Sequence, residues 1–155
     1  MKEARELVHG TCVALGRRAA LLRGSPGAGK SDLALRFIAL PAEGNLKPLL
    51  VADDQVFVEA RADGVLHVSP PATIAGKIEM RGLGIVDVPF LAEAELVLVC
   101  DLVNGKDVPR VPAEGAERTH IAGVPVPAMK LAPFEASSPL KLKMALFRAA
   151  RENPN

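Results

Sequence analysis

The stretch that decides the fold is Gly24-Ser25-Pro26-Gly27-Ala28-Gly29-Lys30-Ser31, which fits the pattern G-x-x-x-x-G-K-[ST] at every fixed position. In this pattern glycines let successive backbone N–H groups turn toward a phosphate, the lysine offsets the charge of the outer phosphates, and the serine hydroxyl reaches Mg²⁺. A strand is predicted before it over residues 18–22 and a helix after it over residues 30–40, so the positive end of the helix would face the anion. This setting favours a phosphate loop in an α/β domain over a chance glycine turn.

The composition of the chain argues against several other classes of protein. With 155 residues the chain predicts one domain over 1–155, and 49% hydrophobic with 24% charged residues excludes a disordered chain. A net charge of +1 and 3% aromatic residues favour neither nucleic acid nor an anionic membrane as a partner. The N-terminus is too charged for a signal peptide, and no apolar run is long enough to span a membrane. The two cysteines are expected to be buried thiols, so the sequence predicts a soluble cytoplasmic protein.

Hydrophobic periodicity predicts the remaining elements. One continuous strand is expected over residues 8–15, followed by a strand running back over 18–22. Further strands are expected over residues 48–52, 55–60, 65–68 and 95–101, with proline-rich edge strands within 118–130. A last helix is expected to begin at Ser138 as N-cap, with Leu140, Met144 and Phe147 on one face and its cations on a solvated face or on a docking surface for an acidic partner.

Two aliphatic strands end in acids that could serve a nucleotide site. One ends in Asp53-Asp54 and the other in Asp101. Adjacent carboxylates on an extended chain point to opposite sides, so one of the pair could face a metal while the other accepts the proton of an attacking hydroxyl. Asp101, which leads into a Gly/Pro loop, is more typical of a structural acid. His9 alone on a strand is also typical of a structural residue.

Several segments together resemble one family. They are Val8-His9-Gly10-Thr11, the loop 24–31, Leu50-Val51-Ala52-Asp53-Asp54, Ile74-Ala75-Gly76, and Ile78-Glu79-Met80-Arg81-Gly82-Leu83-Gly84-Ile85-Val86. The last is similar to the signature E-[IVM]-R-G-[LV]-G-I. Over about residues 7–150 the chain resembles the catalytic domain of HPr kinase/phosphorylase, which acts on a serine of the phosphocarrier protein HPr of the sugar phosphotransferase system.

The resemblance implies a fold and an activity. The fold would be the phosphoenolpyruvate-carboxykinase-like kinase core, an α/β domain in which a phosphate loop lies within a mixed β-sheet with flanking helices. The activity would be ATP- and Mg²⁺-dependent phosphorylation of a serine of HPr, with phosphorolysis of the phosphoserine to pyrophosphate as the reverse reaction. The chain would be a short form without the N-terminal domain of long members, and it would assemble as a hexamer.

The resemblance also implies roles for particular residues. Asp54 would be the base that takes the proton from the target serine and the acid that returns it, with Asp53 as its active-site companion. His9 would be the family's active-site histidine, and Ser31 and Glu79 would serve Mg²⁺.

The resemblance also assigns roles to positively charged side chains. Lys30 and Arg110 would stabilise the transferring phosphoryl group, and Arg81 lies in the signature. The family's late loop P-V-R-P-G-R-N aligns with residues 125–130, where Pro127 and Lys130 stand in place of the two arginines. This departure weakens the case for the phosphorolysis half.

Two other functions fit parts of the sequence. A small-molecule kinase or nucleotide hydrolase would use Asp101 as its acid. A nucleotide-sensing regulatory module would bind without catalysis, although it would not require Asp54, Glu79 and Arg110 together. With five Phe and no Trp or Tyr, a purine sandwiched between two rings is not expected, so affinity should come mainly from the phosphates.

Overall fold

The computed structural model describes residues 4–111 and 117–152. Within these residues the chain forms eleven strands, two α-helices and one 3-10 turn. The strands are β1 (Ala4–His9), β2 (Thr11–Leu15), β3 (Arg18–Arg23), β4 (Pro48–Ala52), β5 (Gln55–Ala60), β6 (Leu66–Ser69), β7 (Lys77–Met80), β8 (Gly84–Asp87), β9 (Ala94–Leu102), β10 (Arg118–Ile121) and β11 (Val124–Leu131). The helices are α1 (Lys30–Ile38) and α2 (Ser138–Glu152), and the 3-10 turn is Gly105–Asp107.

The main sheet is mixed, and β9 is its central strand. β9 pairs in parallel with β3 and β11 and antiparallel with β6. β2 and β3 form an antiparallel hairpin that leads into the glycine-rich loop, and β7 and β8 form a separate two-stranded hairpin. An α/β fold with a mixed sheet, as the family resemblance implies, is therefore confirmed.

The sheet bends back on itself at a corner formed by Gly10 and the Asp53-Asp54 pair. β1 leads into β2 through Gly10, and β4 leads into β5 through the two aspartates. β1 pairs with β5 before the corner and β2 pairs with β4 after it, so both pairs turn at the same place. Gly10 has φ +152°, and a Cβ there would lie 2.7 Å from Leu21 Cδ1. The single strand predicted over residues 8–15 is therefore wrong, because the chain breaks at a position that accommodates only glycine.

An apolar layer covers each face of the sheet. Along β3, Ala20 and Leu22 face one layer while Ala19 and Leu21 face the other, as the alternation of side chains in a strand requires. The first layer is closed by the two helices, through the buried side chains Leu33, Ala34, Phe37, Leu142 and Leu146. The second is closed by β5, β6, β10 and β11, because the bend brings the sheet round over its own face.

Most predicted elements are present. The helix over residues 30–40 and the strands over 48–52, 55–60, 65–68 and 95–101 are observed with ends that differ by at most two residues. The extended segment 118–130 forms β10 and β11, which pair with each other before β11 joins β9. No helix in the described ranges is long and apolar enough to cross a membrane.

α2 differs from the prediction in its cap and in its buried face. The helix begins at Ser138, but the hydroxyl of this residue donates to a carbonyl of the preceding loop instead of capping the helix. Leu142 and Leu146 enter the core. The face predicted to be apolar is exposed: Leu140 by 51%, Met144 by 69% and Phe147 by 46%.

We predict that Phe37→Ala lowers the free energy of unfolding by about 3–5 kcal/mol, because the ring is fully buried between α1 and the sheet and its removal leaves a cavity. Urea unfolding followed by circular dichroism measures the change. The matched control is Phe147→Ala, which removes the same group from a half-exposed position on α2 and should cost less than about 1 kcal/mol. Equal costs for the two variants would contradict this account of the core.

Candidate active site

The glycine-rich loop joins the end of β3 to the start of α1. Residues 24–27 are exposed, and Gly29, which precedes the helix, has φ +98°. Lys30 opens α1, and its Nζ donates to the carbonyl oxygens of Gly24 at 2.8 Å and Ser25 at 3.1 Å. The ammonium group therefore folds back over the loop, beside the N-terminus of the helix. A positive charge, exposed loop amides and a helix N-terminus together favour an anion at this place.

The carboxylate of Asp53 is the centre of the polar contacts at this loop. Its side chain is 8% exposed. Oδ1 accepts hydrogen bonds from Thr11 Oγ1 at 3.0 Å and from Ser31 Oγ at 2.7 Å, and Oδ2 accepts one from the backbone N–H of Glu79 at 3.2 Å. One carboxylate thus joins β2, α1 and β7, which are distant in sequence.

Asp54 follows Asp53 in the chain but lies in a different environment. Its φ of +70° is left-handed, a conformation that aspartate tolerates better than most residues. Its carbonyl accepts a hydrogen bond from the N–H of Gly10 at 2.9 Å, its own N–H lies 3.4 Å from Thr11 Oγ1, and its side chain is exposed. His9, also exposed, ends β1 at the same corner, opposite Gln55. The two adjacent aspartates therefore differ in environment, one buried and one facing solvent.

The hairpin β7–β8 carries the signature residues to the edge of the loop. Ile78 is buried in the core below it, whereas the side chains of Glu79 and Arg81 are exposed. Glu79 contacts Asp53 through its backbone N–H, and its carboxylate makes no ion pair with any residue in 4–111 or 117–152. Gly82 and Gly84 have φ near +90° in the turn, which supports the tight reversal.

Asp101 is held by an ion pair. Arg23 Nε donates to Oδ1 at 2.8 Å and Nη2 donates to Oδ2 at 3.1 Å, in the two-pronged geometry that arginine forms with carboxylates. Arg23 ends β3 and Asp101 is the penultimate residue of the adjacent strand β9, and the two lie opposite each other in register. Both oxygens of Asp101 are engaged, which favours the structural interpretation of this acid over a catalytic one.

Not all of the predicted site residues converge. The loop, Lys30, Ser31 and Asp53 lie together, with the backbone of Glu79 beside them. Arg81 and Arg110 are exposed and have no hydrogen bond or ion pair with these groups in the described part of the chain. Thr11 is a site residue to which the sequence analysis gave no role, because a buried threonine on a strand carries no distinguishing spacing.

The groups near the loop suit a hard cation. Ser31 Oγ and the Asp53 carboxylate are 2.7 Å apart, and hydroxyl and carboxylate oxygens are donors that Mg²⁺ prefers, with waters and phosphate oxygens completing its shell. No group of three His, Cys, Asp or Glu side chains that could hold a metal by itself occurs in the described residues.

Cys12 and Cys100 are free and buried in the core, and burial raises the pKa of both thiols.

The mixed sheet and its two helices define an α/β protein. A glycine-rich loop before a helix, with a strand-tip carboxylate on its serine, is an arrangement suited to an anion. The family can be stated more narrowly. The chain belongs to the HPr serine kinase C-terminal domain family, whose model matches residues 2–137.

Named relatives and one solved structure agree with this assignment. An HPr kinase/phosphorylase of Streptococcus uberis is 33% identical over 137 residues, covering 82% of this chain and 42% of the relative. One from Clostridium acetobutylicum is 32% identical over 131 residues, covering 80% and 41%. The HPr(Ser) kinase/phosphatase structure from Coxiella burnetii is 26% identical with a TM-score of 0.76, covering 96% of this chain and 97% of that one. The chain thus spans less than half the length of these two curated relatives.

We predict that Asp53→Asn lowers the free energy of unfolding by about 1–3 kcal/mol, because a neutral amide replaces the charged acceptor and, in either orientation, its NH₂ group faces at least one of the three donors. Urea unfolding measures the change. The neighbouring variant Asp54→Asn is the matched control, because it makes the same chemical change on an exposed side chain and should stay within about 0.5 kcal/mol of the parent. If both variants unfolded with the parent's free energy, Asp53 would not be the link that the geometry describes.

Proposed function

We propose that this chain is an ATP-dependent protein kinase that phosphorylates a serine of the phosphocarrier protein HPr. One observation carries the proposal: Asp53 contacts the loop serine, Ser31, while the adjacent Asp54 presents a solvent-facing carboxylate at the same corner. The family assignment and the names of the relatives supply the substrate class. On this proposal residues 1–155 act as a single catalytic domain of the phosphoenolpyruvate-carboxykinase-like kinase type, in the cytoplasm.

The loop would act as a phosphate loop that binds the nucleotide by its phosphates. The backbone N–H groups of the loop 24–29, in which only Pro26 has none, and the N-terminus of α1 would surround the outer phosphates. The Lys30 ammonium, which contacts the carbonyls of Gly24 and Ser25, would turn from them to the outer phosphates. These groups hold the phosphates before the reaction starts, so little reorganisation is required as charge develops.

Asp54 would be the general base. The serine oxygen of the substrate attacks the terminal phosphorus, the bond from that phosphorus to the bridging oxygen breaks, and ADP leaves. The hydroxyl proton passes to the Asp54 carboxylate. Exposure suits this role, because the substrate serine belongs to another protein and must approach from solvent.

Ser31 and Asp53 would hold Mg²⁺ or its waters, with Glu79 at the edge of the loop as a further carboxylate. When bound, Mg²⁺ offsets phosphate charge. Arg110 and Arg81 are proposed to approach the transferring phosphoryl group from the exposed segments on which they lie, and His9 to line the corner beside Asp54. A homo-oligomer, a hexamer by family resemblance, is part of the same proposal.

We predict that Asp54→Asn reduces phosphoserine formation on purified HPr by at least about 100-fold while nucleotide affinity stays within about threefold, since the base is lost but the phosphate contacts remain. Incubation with HPr, ATP and Mg²⁺, read by mass spectrometry, gives the rate, and calorimetry gives the affinity.

Asp101→Asn tests the competing enzyme, a small-molecule kinase or nucleotide hydrolase that uses this acid. Since Asp101 is paired with Arg23, its replacement should leave the rate on HPr within a few-fold of the parent. Loss of activity in Asp101→Asn with a fully active Asp54→Asn would overturn the general-base assignment. Tight nucleotide binding by the parent with no phosphoserine on HPr would instead indicate a regulatory module.

Phosphorolysis is expected to be the weaker direction. Pro127 and Lys130, which replace the two late-loop arginines, lie within β11, where Pro127 pairs opposite Arg118. Pro127 carries no charge, and Lys130 keeps a charge without the fork of donors that arginine has. Loss of one group that stabilises a reacting phosphate commonly costs about 100-fold or more in rate. We predict that phosphoserine-HPr with inorganic phosphate releases pyrophosphate at least about 100-fold more slowly than the same sample phosphorylates HPr. Comparable rates in the two directions would show that these arginines are dispensable.

A further inference from the structure

A phenyl ring lies directly against the glycine-rich loop. A Cβ at Gly29 would be 2.8 Å from both Cε1 and Cζ of Phe134 and 3.3 Å from Cβ of Pro133. Phe134 is nevertheless 70% exposed. A large apolar side chain that borders a phosphate-binding loop and remains open to solvent is suited to contact with a ligand.

The segment that carries the ring is fixed to α1. Arg36 donates from Nη2 to the carbonyl of Pro133 and from Nη1 to the carbonyl of Glu135 at 3.2 Å, on either side of Phe134. The same guanidinium is held by Asp32 at 2.9 Å, one turn earlier on the helix. The position of the ring is thus tied to the helix that starts at the loop, which gives a preorganised surface.

We propose that Phe134 is the platform for the base of the bound nucleotide. This inference rests on the proposed nucleotide site. The loop amides and Lys30 take the phosphates, so the nucleoside has to extend away from the loop, and Phe134 is an exposed aromatic ring in contact with its last glycine. Stacking of a base on one aromatic ring is favourable for purines in general, because each base has a π face.

A single platform differs from a two-sided pocket. The chain has no Trp or Tyr that could form a two-sided sandwich, but Phe134 supplies one ring beside the loop. One ring contributes affinity without reading the edge of the base, so ATP and GTP should bind within roughly fivefold of each other.

The test compares Phe134→Ala with the parent by calorimetry, using ADP and inorganic tripolyphosphate, each with Mg²⁺. We expect the variant to bind ADP about tenfold more weakly, while its affinity for tripolyphosphate is unchanged. Phe147→Ala is the matched control, since it removes an exposed phenyl ring about 13 Å beyond the start of α2 and should leave both affinities unchanged.

The outcomes separate this inference from the proposed function. Unchanged ADP affinity in Phe134→Ala, with normal tripolyphosphate binding, would overturn the platform and leave the phosphate site intact. Failure of the parent to bind tripolyphosphate or ADP would overturn both. If Phe134→Ala altered the sedimentation coefficient but not ADP affinity, the ring would belong to a contact between copies of the chain, and the platform would again be wrong.

Discussion

The site depends on the carboxylate of Asp53, which accepts hydrogen bonds from three segments that are distant in sequence. Thr11 comes from β2, Ser31 from the first turn of α1 and the N–H of Glu79 from the hairpin β7–β8. Because the group is almost fully buried, each of these hydrogen bonds replaces one that water would otherwise make to the carboxylate. Removing any of them therefore lowers the free energy of unfolding. The loop, the corner and the signature hairpin are therefore held in one arrangement by a single side chain.

The corner in the sheet explains why one of the two neighbouring aspartates is buried and the other is exposed. On a regular strand Asp53 and Asp54 would alternate across the sheet, and one would enter an apolar layer. The left-handed conformation of Asp54, with its carbonyl on the N–H of Gly10, breaks the ladder at that point and leaves the second carboxylate in solvent. Such a conformation costs free energy, and its persistence here is consistent with the tendency of backbone strain to occur at functional sites.

Local chemistry made part of this structure predictable. The glycine-rich loop, α1 and the strands β4 and β5 follow from residue spacing because their patterns are complete within a few residues. The break at Gly10 could not be seen, since it is imposed by Leu21 on a neighbouring strand. The prediction for the buried face of α2 is wrong for a similar reason. The helix carries two apolar stripes, and only the stripe with Leu142 and Leu146 packs into the core. Thr11 and Phe134 gain their importance only from what lies beside them in space.

The same contacts bear on the choice of Asp54 as the proposed general base. A carboxylate offers about four acceptor positions, and hydrogen bonds occupy three of those of Asp53. If Asp53 took the proton, a neutral carboxyl group would replace the charged acceptor of three donors inside a buried cluster, whereas Asp54 is exposed to solvent. The buried member is suited to fixing the loop serine and a cation, and the exposed member to accepting a proton from an incoming hydroxyl. Under the proposed function, the two adjacent acids would divide these two tasks between them.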